Sequence, residues 1–173
     1  MSGIAVSIIM LLIKGIPESM LNVLALHFFT RTKINIKIYF LLSFIYLLSI
    51  YLIRFLPITL GVNTVLSLFV LILSFQFVYR PQLSKVIRTI TASAIILILV
   101  AISEVCNMLL LTVLYGETAA MELFNSSQGL TKSIYTIPST VFLAIFVFAG
   151  YLILKKFGKR KISNGEDSKK IGA

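Results

Sequence analysis

YLIRFLPITLGVNTVL, residues 51–66, decides how this chain is to be read. Here an arginine, a proline, a glycine and an amide stand together between two long apolar runs, residues 36–53 and 58–78. Each run approaches or reaches the roughly 20 residues that a helix needs to cross a hydrocarbon core about 30 Å thick. Arg54 and Pro57 therefore mark the place, at a membrane surface, where one membrane helix stops and the next begins.

The bulk numbers agree with a membrane reading. Of 173 residues, 58% are hydrophobic and 13% charged, and mean hydropathy is +1.01. A soluble domain carries about 25% charged residues. The chain reads as an integral membrane protein of one domain. Its net charge of +10 would suggest nucleic acid in a soluble protein. Here the basic residues gather at the ends of apolar segments, as in cytoplasmic loops, with no aromatic-basic interleaving, so nucleic acid is not an expected partner. The single Cys106 lies inside an apolar run and reads as packing. The first thirteen residues carry no positive charge and Ser2 follows the initiator, so neither a cleaved signal nor myristoylation is expected.

Five transmembrane segments follow, at about 4–29, 38–53, 58–78, 88–115 and 134–154. The expected fold is an all-α bundle over 1–156 with a basic, disordered tail at 157–173. Segment one holds Lys14-Gly15-Ile16-Pro17-Glu18 at its centre, and Pro17 predicts a kink and a hinge. Residues 119–124 suit a short interfacial helix. Pro138 falls near the first turn of segment five, where proline costs little.

The loop after segment one, the region after segment three and the tail hold 13 of the 16 Lys and Arg (3 + 3 + 7). The positive-inside tendency therefore sets the N-terminus outside and the C-terminus in the cytoplasm. The expected location is the cytoplasmic membrane, crossed several times. The tail run Lys155-Lys156-Phe157-Gly158-Lys159-Arg160-Lys161 is expected to bind anionic lipid.

Ionisable residues inside a membrane are rare and usually face the bundle interior. Lys14, Glu18 and Asn22 follow one helical face at i, i+4 and i+8. Glu104 and Asn107 share a face of segment four, and Asn63 and Ser67 one of segment three. At 1.5 Å per residue Lys14 and Glu104 lie about 22 and 24 Å from the inner surface. Arg54 and Asn63 belong to the outer hairpin. Lys14, Glu18, Arg54, Asn63, Glu104 and Asn107 are the pocket candidates, in a cavity open to the outside with Glu18 deepest. Three readings stay open: structural ion pairs, a ligand or signal pocket, or an ion or proton path. His27 reads as an interface residue. No metal, cofactor or catalytic residue is expected. GxSxG, HExxH, Walker and Rossmann patterns are missing, and Asp167 is the only aspartate.

The run Tyr51-Leu52-Ile53-Arg54-Phe55-Leu56-Pro57, then Gly61-Val62-Asn63-Thr64, resembles the membrane sensor region of Gram-positive GHKL-type receptor histidine kinases. The autoinducing-peptide receptors belong to that class. Glu18 and Glu104 resemble the same pattern, and the likeness spans about residues 4–115. The chain departs from it in having only 19 residues after segment five and one histidine, His27, in the wrong place for phosphotransfer. The resemblance implies a kinase-less sensory or regulatory module acting through a partner, a kinase or regulator, with homo-oligomerisation open. A substrate-binding subunit of a multi-subunit importer is the alternative, and a structural assembly factor the third reading.

Overall fold

The computed structural model describes residues 11–53, 60–79, 83–125 and 129–170, of which 60, 61, 63, 83, 84, 124, 125, 129–133 and 157–170 are described by backbone alone. Arg54 and Pro57 lie outside the described residues.

A π turn, Leu11–Gly15, leads directly into α1, Ile16–Thr30. Then come α2, Ile36–Ile53; α3, Leu60–Tyr79; α4, Leu83–Tyr115; α5, Glu117–Asn125; and α6, Gly129–Lys170. Leu11–Thr30, Ile36–Ile53, Lys85–Tyr115 and Ile134–Lys156 are each long and apolar enough to cross a membrane. The apolar stretch of α3 considered in the same way, Thr64–Tyr79, is shorter. The short helix expected around residues 119–124 is α5.

Two expectations differ from the backbone. α6 begins at Gly129, so Pro138 stands inside it and not at its first turn. The helix also continues to Lys170 where a disordered tail was expected. A helix already nucleated by an apolar span extends at one hydrogen bond per residue, and the Lys and Arg of this stretch are fair helix formers.

α1 is the hub. It packs against α2, α4 and α6, while α3 packs on α2 and α4. Ser19, Asn22, Val23, Ala25, Leu26, His27, Phe29 and Thr30 of α1 are all buried. In lipid the solvent is as apolar as leucine, so helices associate through close packing and hydrogen bonds more than through the hydrophobic effect. Small residues serve this purpose. A Cβ placed on Gly150 would meet the Phe29 ring at 3.1 and 3.2 Å, so α6 and α1 approach closely there.

Both ends of α1 are irregular for stated reasons. Pro17 sits in its first turn without an N–H, which frees a carbonyl of the preceding turn. The backbone answers with the π turn, the form such insertions take inside helices. At the other end Arg31 adopts φ 52°, the left-handed conformation. Its N–H reaches Phe28 O at 3.2 Å, and that of Thr32 reaches His27 O at 3.1 Å. This is a Schellman ending with arginine where glycine is the usual choice.

The turn ends of the helices define two ends of the bundle. α5 packs against α4 and α6 at the end where α1 begins. The opposite, basic end carries Arg31, Lys33, Lys37, Lys85, Arg88, Lys155 and Lys156, all exposed.

Candidate functional site

Towards the α5 end, three helices contribute side chains to one polar cavity. Its wall consists of Lys14 and Glu18, Val100, Ser103 and Glu104 of α4, and Ser139, Thr140 and Leu143 of α6. Its volume is about 10 Å³, room for about one water molecule. The local folding explains the arrangement. Lys14 projects from the π turn and Glu18 from the first turn of α1, on either side of Pro17. Val100, Ser103 and Glu104 lie at i, i+3 and i+4 and so share one face of α4.

The hydroxyls around it differ in how well they are satisfied. Ser103 Oγ donates to Leu99 O at 2.6 Å, and Ser139 Oγ donates to Thr136 O at 2.7 Å. Thr140 Oγ1 is buried with no hydrogen-bond partner among the described residues. The wall thus offers two carboxylates, one ammonium and oxygen acceptors between apolar patches. Such a wall can orient a small polar or charged group.

The remaining candidates go elsewhere. Asn107 is completely buried and its Nδ2 donates to Tyr135 O at 3.1 Å. That carbonyl is next to the one of Ile134, which Pro138 leaves without its helical donor. Asn107 therefore braces the proline segment of α6 and is not part of the cavity wall. Asn22 is buried too and donates from Nδ2 to Tyr46 Oη at 3.3 Å, joining α1 to α2. Arg54 lies outside the described residues, and so does the side chain of Asn63.

A second polar cluster, unforeseen from the sequence, sits near the basic end. His27 is 1% exposed, so it is a core residue and not an interface residue. Its Nδ1 lies 2.8 Å from Val23 O. A carbonyl only accepts, so Nδ1 carries the hydrogen and Nε2 accepts from Tyr79 Oη at 3.1 Å. The rings of Phe75 and Tyr79 stand edge-on at 5.2 and 5.8 Å, and that of Tyr39 at 6.3 Å. Tyr39 in turn donates to Met20 O at 3.0 Å. The signal was available: His27 is four residues from Val23 and falls on the buried face of α1.

No protein-family model, curated protein or solved structure matches the chain.

Proposed function

We propose that this protein is a sensory or regulatory module of the cytoplasmic membrane that hands its signal to a separate protein partner. In this reading the chain crosses the membrane five times, α3 included, with its N-terminus outside. The cavity of Lys14, Glu18 and Glu104 then lies in the outer half, and the basic end faces the cytoplasm. The likeness of Arg54, Pro57, Gly61 and Asn63 to receptor-kinase sensor regions supports the same role.

One observation carries the proposal: ionisable groups from two helices meet hydroxyls of a third in a space for about one water molecule, beside a π turn and Pro17. A larger ligand enters only if α1 shifts against α4 and α6. A ligand preferring the shifted packing moves the population towards it, and Pro17 with the π turn is where the backbone accommodates the change.

The test is purification of the tagged full chain from its native membranes, with identification of retained proteins. A kinase or response regulator is expected; a pair of ATPase subunits would replace this reading by an importer subunit. Glu104→Gln should then alter the partner's output at equal membrane abundance. Unchanged output would defeat the proposal.

A further inference from the structure

We infer that the seam between α1 and α6 at the basic end is a binding site for the phosphate of an anionic phospholipid headgroup. The inference does not depend on the sensory reading, because it concerns the opposite end of the bundle.

The seam begins with an unusual choice of residue. Arg31 holds a left-handed conformation that is strained for most L-residues and that glycine adopts freely. A non-glycine residue held in this strained conformation points to a use for the side chain. Nη2 of Arg31 reaches across to Leu154 O of α6 at 3.4 Å. A guanidinium has five N–H donors, so this long contact leaves donors for an acceptor outside the protein.

The partner helix supplies the rest of the site. Lys155 Nζ lies 6.0 Å above the centre of the Tyr151 ring. Tyr151 is itself stacked on Phe28 of α1 at 4.3 Å. The close approach at Gly150 and Phe29 holds the two helices together one turn away. Lys155 is thereby set over an aromatic pair that bridges the two helices, and Arg31 of the other helix reaches the carbonyl of the residue beside it in sequence, Leu154. About one and two turns before Lys155 on the same face of α6, Leu152 and Phe148 are 61% and 49% exposed and offer an apolar track for an acyl chain. Of the six acidic residues, Glu18, Glu104, Glu117 and Glu122 belong to the middle and the α5 end, and Glu166 and Asp167 follow on α6 about three turns beyond Lys155. Fork-shaped Arg plus a neighbouring Lys at headgroup depth suits a phosphodiester, and the apolar track selects a lipid over a free anion.

The full-length protein is reconstituted into nanodiscs of phosphatidylcholine with phosphatidylglycerol, and retained lipid is counted by native mass spectrometry. Phosphatidylglycerol is expected to be enriched on the wild type. Arg31→Gln and Lys155→Gln should each weaken that retention about fivefold, and the double variant about thirtyfold, at roughly 1 kcal/mol per basic group at a membrane surface. Lys33→Gln with Lys37→Gln removes the same charge from the same end, away from the seam, and should change retention much less. Arg31→Gly separates binding from folding, since it relieves the backbone while deleting the guanidinium. It should lose phosphatidylglycerol and unfold no more readily than the wild type. Equal losses in the seam and control doubles would overturn the inference, leaving only bulk charge. So would stabilisation of the lipid-free protein by inorganic phosphate to the level that phosphatidylglycerol reaches, which would mean a free-anion site.

Discussion

The cavity of Lys14, Glu18 and Glu104 and the box around His27 are both polar, both built on α1, and differ in one respect. In the box each ring nitrogen of His27 has a partner, and three aromatic rings close the space. Thr30, one turn on, donates to Leu26 O at 2.6 Å. The cavity is walled instead by half-buried charges, with Thr140 Oγ1 buried and unpartnered. Saturated buried polar groups rigidify a bundle, and a buried hydroxyl left unpaired costs stability. The difference fits anchoring in the box and, in the proposed sensory role, response at the cavity. α1 is tied down near Thr30 and interrupted at Pro17.

The comparison can be broken most easily at the box. His27→Ala should destabilise the protein by about 2–4 kcal/mol, through a cavity and an unpaired Tyr79 hydroxyl, in reversible unfolding in detergent. Glu104→Gln, which keeps the side chain's shape and one acceptor oxygen while removing its charge, should cost less than about 1 kcal/mol in the same assay. Equal costs would remove the distinction.

Gly150→Ala tests the anchor from α6. Its Cβ would meet the Phe29 ring at 3.1 Å, and the ring, wedged between helices, has little room to yield. A loss of about 1–3 kcal/mol is expected, read as a lower melting temperature. Little or no loss would show a looser seam than the geometry indicates.

At the cavity the expected sign reverses. Thr140→Val replaces a buried unpartnered hydroxyl by a methyl group of the same size. It should leave stability unchanged or raise it by about 1 kcal/mol, measured by the same unfolding. A clear loss would mean that Thr140 is paired in the membrane and that the cavity is as finished as the box.

Much of this fold is legible from residue order, because bilayer thickness dictates segment length and leaves few alternatives. The runs expected at 38–53 and 88–115 lie within α2, Ile36–Ile53, and α4, Leu83–Tyr115. Glu104 with Ser103 is readable from spacing alone, since i and i+3 or i+4 repeats define a helix face. What could not be read depended on neighbours. Pro138 seemed harmless near a helix start until α6 proved to begin five residues earlier than the apolar stretch at Ile134. Asn107 looked like a pocket residue because spacing shows a shared face but not what lies opposite it. His27 was set at the interface by its position near a segment end, although it points into Tyr79, Phe75 and Tyr39, which are distant in sequence. The left-handed turn at Arg31 leaves no trace in composition, since the residue there is not glycine.

The central claim is that α1 and α4 meet through their charged residues inside the membrane. Replacing Glu18 and Glu104 by cysteine in a Cys106→Ala background, then oxidising native membranes, tests it directly. The account predicts a disulfide-linked species that forms with Glu18→Cys and Glu104→Cys together and with neither alone. No cross-link, with both cysteines instead labelled by a lipid-phase maleimide, would contradict it.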